Sequence, residues 1–299
     1  MRGGLGRGSA RSAAALLLLA AAVLFGTTGT ARALGPATAS PLAVGAARVA
    51  LGALALLSLA LLGGAAARVA RCWDSDVRGA TIIGALAVAG YQLCFFAAVK
   101  LAGVALGTLV AIGAAPVLAG LFGLALGERP SRRWAAATAL AVAGCALLLL
   151  PGRRLDASSV GVLLALGAGA AYAAFTVAGR RLLLHVGSPD AVMAALFAAG
   201  AVMLLPVLAS QDLRGLASVR GLAMVLWLGL VATAAAYWLF ARGLARLPAA
   251  TATTLDLAEP LTASALGVLA LGERLAPLTL AGAVLVAGGL LLLSLPGRR

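Results

Sequence analysis

Charge is scarce in this chain. Of 299 residues, 11% are charged and 63% hydrophobic, and the mean hydropathy is +1.08. A soluble domain of this length could bury a core, but so few charges could not solvate its surface. Lysine is almost missing. Lys100 stands alone, and every other basic residue is arginine. With so much alanine and glycine, that bias reads as a genome-wide codon preference, not a choice of guanidinium chemistry. The three cysteines, Cys72, Cys94 and Cys145, cannot all pair. Cys94 and Cys145 fall inside apolar runs, so the three read as small packing residues, with no disulfide framework or metal site. His185 is the single histidine and falls between predicted spans, as a solvated loop residue. Neither HExxH, GxSxG nor an aspartate-rich prenyl-binding motif occurs, which argues against an intramembrane enzyme. The net charge of +14 does not point to nucleic acid. The arginines sit in pairs and triplets between apolar runs instead of clustering on one polar module.

What is present is hydrophobic length. Apolar runs of about 20 residues recur along the chain, and that length matches the hydrocarbon thickness of a bilayer. The alternating segments of a membrane barrel do not appear. The expected fold is therefore all-α and integral to a membrane. Ten spans are predicted, at 13–31, 41–62, 79–99, 103–126, 134–150, 159–178, 190–209, 221–240, 248–271 and 277–295. The first has a rival reading. Arg2, Arg7 and Arg11 precede it, and "ARA" at 31–33 fits a signal-peptidase site. The repeat described next gives this span a counterpart inside the chain, which favours a retained helix.

Basic residues favour the cytoplasmic side. With the N-terminus inside, 15 basic residues fall on inside segments and 7 outside, with Arg48 in a span. Both termini are accordingly predicted cytoplasmic. Trp73, Trp134 and Trp227 lie near span ends and read as interface anchors.

The hexapeptide LALGER occurs at 124–129 and again at 269–274. Continuing from each copy, 127–154 aligns with 272–299 without a gap, and 13 of 28 positions agree. GER opens both segments and PGRR closes both. Pro116 and Pro260 stand at similar distances upstream, and "GTTGTAR" (26–32) ends the first span much as "FTVAGRR" (175–181) ends the sixth. The chain is thus two copies of a five-helix unit, 13–150 and 159–296, behind a cytoplasmic tail of residues 1–12. Five is odd, so the second copy inserts upside down. Inverted repeats of this kind bind their substrates near the midplane, at the repeat interface. LALGER itself then falls on opposite sides of the membrane and reads as a duplicated turn, a hinge or gate support.

The stretches "AAPVLAGLFGLALGERPS" (114–131) and "LAEPLTASALGVLALGERLAP" (257–277) resemble the EamA-type transporters of the drug/metabolite transporter superfamily. Each holds a proline within a helix, small residues, an acid-bearing turn and a further helix. Arg48 in "GAARVALGALAL" matches an arginine common in that family's second helix. The first helix, with "LFGTTG", lacks the tryptophan often found before its glycine. The resemblance implies ten helices as two inverted repeats in the bacterial inner membrane. It also implies a secondary transporter exporting a small metabolite or drug-like compound by alternating access. The alternative is a non-transporting membrane sensor or lipid-binding scaffold. The implied partners are the bilayer, a small-molecule substrate and protons as coupling ion, with no cofactor.

Three ionisable residues fall well inside spans: Arg48, Asp256 and Glu259. At that depth each is costly unless it faces a cavity or a partner. Asp256 and Glu259 are three apart and share a helix face. Two carboxylates on one face in a low dielectric resist ionising together, which suits a proton site. A buried Arg–carboxylate lock between helices accounts for the same residues. Pro260 and Pro116 deprive the carbonyls of Asp256 and Ile112 of their helical donors, and so are candidate hinges. Thr27, Thr28, Tyr91, Gln92, Thr108, Tyr172, Thr176, Tyr237 and Trp238 are candidates to line a central cavity, with Tyr91 and Tyr237 similarly placed in the third and eighth spans. Gly113, Gly120 and Gly127 recur every seven residues and predict a small-residue packing face.

Overall fold

The computed structural model describes residues 3–150, 158–272 and 276–295. Its long helices are α1 (Gly3–Leu34), α2 (Pro41–Leu62), α3 (Arg78–Ala102), α4 (Val104–Gly123), α5 (Arg132–Leu149), α6 (Ser159–Val186), α7 (Pro189–Ala209) and α8 (Val219–Leu244). The ninth crossing is made by two helices, α9 (Ala249–Leu255) and α10 (Ala258–Leu271), and the tenth by α11 (Pro277–Ser294). Short helices at Ala66–Arg71 and Arg214–Ala217 sit in connections. Among the described residues nine helices are individually long and apolar enough to cross a membrane. The broken ninth crossing accounts for the tenth.

The break differs from the sequence expectation. There, Pro260 was to leave the Asp256 carbonyl without a donor. Instead the α-helical bonding is interrupted at Asp256–Leu257, where both residues keep right-handed helical dihedrals, and the Asp256 carbonyl accepts the Glu259 N–H at 2.8 Å. Pro260 then falls in the first turn of α10, where its missing N–H costs no helical bond. Pro116, by contrast, stays inside a continuous α4. α8 carries its own irregularity, a π-helical stretch at Trp227–Ala235. A wide turn of this kind is rare and is frequently found at functional sites.

Several predicted ends move, among them the start of α1 and the ends of α3 and α8. α1 runs on through the "ARA" stretch to Leu34, and α6 runs on through Arg180 and Arg181 to Val186. His185 is therefore in the last turn of α6, not in a loop, 3.9 Å from the Asp74 carboxylate. The apolar pattern had ended at 178 because Arg180 and Arg181 read as the start of a loop.

Helix partners repeat across a pseudo-two-fold relation. α3 packs on α6 as α8 packs on α1; α4 packs on α6 as α10 packs on α1. α2 with α7, and α5 with α11, are pairs that the relation maps onto themselves. The α5–α11 crossing shows why glycine is needed. A Cβ at Gly144 would meet the Gly282 carbonyl at 2.7 Å, and a Cβ at Gly282 would meet the Gly144 carbonyl at 2.7 Å. Only glycine lets the two backbones come so close. Gly113 and Gly120 face α5 side chains, Val142 and Trp134. Gly127 does not share that face: its φ of +73° makes it the left-handed cap that ends the α4 region.

Candidate functional site

A cavity of about 690 Å³ lies between the two repeats. That volume suits a small metabolite. Its lining near helix ends comes from Arg32, Pro41, Val104, Ala105, Leu149 and Ala276. Those residues mark the face where α1 ends and α2 begins, here the far face. The near face, where α1 begins, contributes no helix end to the lining. The cavity therefore opens on the far face and stops inside the bundle.

Its inner end is built on the broken crossing. The break sets Thr253 of α9, then Asp256, then Glu259 and Pro260 of α10, all on the cavity wall. Asp256 is 4% exposed, and its Oδ2 accepts the Tyr172 hydroxyl at 2.6 Å. Its Oδ1 is buried without a hydrogen-bond partner. Glu259 is half-buried. Arg48, from α2, lines the same cavity, with its Nε buried and unpartnered. Among the described residues no ion pair joins Arg48 to either carboxylate. Buried charges are normally paired, so this wall carries unmet electrostatic demand.

Aromatic rings form the rest of the inner wall. Tyr91 stacks on Phe95 at 5.5 Å between centroids and tilts against Tyr172 at 5.9 Å. Tyr237 meets Phe25 at 4.8 Å. Such rings offer apolar area with polar hydroxyl tips.

Of the expected lining residues, Thr28, Tyr91, Thr108, Tyr172 and Tyr237 line the cavity, as does the candidate hinge Pro260. Gln92, Thr176 and Trp238 are not in the lining, nor is the other candidate hinge, Pro116. Gln92 is buried beside Gly45, its Oε1 unpartnered. The Thr176 hydroxyl donates back to the Tyr172 carbonyl. Trp238 lies under the Arg242 guanidinium, 3.6 Å from ring centroid to Cζ. Pro116 is buried in helix packing. Thr27 accepts a hydrogen bond from the Trp227 indole at 3.0 Å. Reasoning from sequence missed Thr253, Ser264, Thr279 and the Phe95–Phe96 pair. Thr253 was findable, since it sits three residues before Asp256 on the same face. Thr279 had no signal, because its approach depends on α11 crossing α5.

The near face is closed by polar contacts between repeats. Glu128 lies 3.5 Å from Arg180, and its Oε2 accepts the Ala249 N–H at 3.0 Å. The Trp134 indole donates to the Ala250 carbonyl and to the Thr254 hydroxyl at 2.9 and 3.0 Å. Thr138 and Thr254 hydroxyls meet at 2.9 Å. Trp134 is thus a strut between repeats and not the interface anchor expected from its place near a span end. The anchor reading ignored what faces a residue from the other repeat.

Comparison with known proteins bears on the family and the fold. The EamA-like transporter family model matches twice, at residues 12–150 and 159–295. An uncharacterised transporter of Bacillus subtilis, YwfM, is 43% identical over 285 residues, covering 95% of this chain and 94% of that protein. The threonine/homoserine exporter RhtA of Escherichia coli K12 is 35% identical over 153 residues, half of each chain. One crystal structure superposes with a TM-score of 0.80 at 24% identity, over 95% of this chain and 98% of the other, which bears on the fold alone.

Proposed function

Because the chain belongs to the EamA-like transporter family, we propose that it is a secondary exporter working by alternating access, with the cavity between its repeats as substrate site. With the near face cytoplasmic, as the arginine distribution favours, the conformation described is open to the outside. The observation that carries the reading is an arginine and two carboxylates lining one cavity, with no ion pair between them among the described residues. A substrate that brings a carboxylate to Arg48 and an ammonium to Asp256 and Glu259 supplies the charges the wall lacks. That chemistry is an amino-acid-like zwitterion, and the aromatic walls accept its side chain. The name of the relative RhtA agrees with that class.

Asp256 and Glu259 can each take either a substrate ammonium or a proton. Substrate and proton then exchange at the same wall, as an antiporter requires. The test is flux in proteoliposomes against an amino-acid panel, with and without a pH gradient. The wild type moves at least one zwitterion, and the gradient accelerates it. Glu259→Gln lowers flux at least tenfold at normal membrane levels. Undiminished flux in that variant refutes the site. Specific binding with no flux favours the sensor or scaffold reading.

A further inference from the structure

The cavity ends where α9 begins its contacts with the first repeat. α9 is seven residues, about 10 Å of helix at 1.5 Å per residue. It has a joint at each end. Pro248 precedes it in extended geometry, with ψ of 150°, and the Asp256–Leu257 break follows it. One end of this rod bears Thr253 and Asp256, on the substrate cavity. The other end bears Ala249, whose N–H is held by Glu128. The geometry points to α9 as the near-face gate and to the Glu128–Arg180 pair as its latch.

The latch joins three pieces. Glu128 follows Gly127, whose left-handed φ turns the chain out of the α4 region. Its Oε1 meets the Arg180 Nε of α6 and its Oε2 meets the backbone of α9. Arg180 also donates to the Leu244 carbonyl at the end of α8, at 2.7 Å. One carboxylate of the first repeat therefore ties α6 and α9 of the second, and Arg180 links them onward to α8. Behind it, Trp134 and the Thr138–Thr254 contact form a second tier on the same rod.

The pair is mostly shielded, with side-chain exposures of 15% and 17%. Removing one partner of a shielded pair leaves a poorly solvated charge, which penalises the closed form. Opening the near face admits water to both charges, so the open form loses little. A variant lacking either charge therefore shifts population towards near-face opening. This assigns a function to the first LALGER copy, which the transport site does not use. It rests on the alternating-access reading.

The test reads exposure and not transport, so an error in the substrate leaves it standing. In a background with Cys72, Cys94 and Cys145 replaced by alanine, a probe is introduced as Ala250→Cys. Position 250 is 4% exposed and lies under the latch. A control is introduced as Ala194→Cys, at a fully buried position in α7. A membrane-impermeant maleimide is applied from the near face. Glu128→Gln raises the labelling rate at position 250 about tenfold and leaves position 194 protected. The exchange Glu128→Arg with Arg180→Glu returns position 250 towards its protected rate. No change at position 250, or equal gains at both positions, overturns the latch. The first leaves the transport reading intact.

Discussion

At the residue scale, the surroundings of a side chain decide what its chemistry can do. Cys72, in the connection between α2 and α3, is fully buried. Burial pushes its thiol up to about 11, and the Asp74 carboxylate adds to this. Only the thiolate reacts. Alkylation of Cys72 in the folded protein at pH 8 should therefore be at least about tenfold slower than after unfolding, where the thiol returns to its ordinary range near 8.5. Equal rates in the two states, followed by mass spectrometry, would show that burial does not govern this thiol. Tyr172 is the second case. Its hydroxyl holds Asp256 in one rotamer while leaving Oδ1 unpartnered. Tyr172→Phe removes that hold and leaves a second buried oxygen unmet. Flux should fall more than fivefold, with protein levels unchanged, while Tyr172→Trp, which cannot place a hydroxyl there, gives no rescue.

At the element scale, the broken crossing carries the argument. Pro260→Ala restores the missing N–H and permits a continuous helix across Asp256. If the joint matters, the variant should be as abundant and at least as stable as the wild type, yet transport several-fold more slowly. Equal flux would show that the break only shapes packing. The ten crossings were legible in the sequence because each is a predominantly apolar run of membrane-spanning length, with charge well inside only at Arg48 in the second and at Asp256 and Glu259 in the ninth. The break was legible in part: Pro260 marked an irregularity but not its position. Placing it at Asp256–Leu257 depends on Glu259 supplying the N–H that Pro260 lacks, a three-residue substitution of partners invisible to hydropathy. The α6 end was misread for a related reason. Arg180 looked like solvent-facing charge, whereas a carboxylate 52 residues upstream in sequence, Glu128, accommodates it inside the helix packing.

At the scale of the whole molecule, the two repeats share their backbone plan and differ in charge. Pro116 and Pro260 correspond, but the first repeat has Ile112 and Ala115 where the second has Asp256 and Glu259. The helix pairs follow the two-fold relation, while the charged wall comes mainly from one side of it. The α5–α11 crossing tests the symmetric part. Gly144→Val forces a branched side chain against the Gly282 carbonyl, and overpacking of this kind costs about 1–3 kcal/mol. Melting in detergent should fall by a few degrees, and a change at Gly282 should do the same. An unchanged melting temperature would mean that the helices part here without penalty.

The near-face seal also has a history in time. Glu128 and the Ala249 N–H it holds are 121 residues apart in the chain. At about 5–20 residues per second, a ribosome needs on the order of ten seconds to make the intervening segment. Glu128 meets Arg180 after 52 residues but waits for the Ala249 N–H, while Trp134 and Thr138 wait the whole interval for Ala250 and Thr254. A nascent chain halted after the eighth crossing would therefore leave Trp134 and Thr138 without these partners and Glu128 only partly satisfied. The quality-control machinery of the membrane would meet the protein first in that unfinished form.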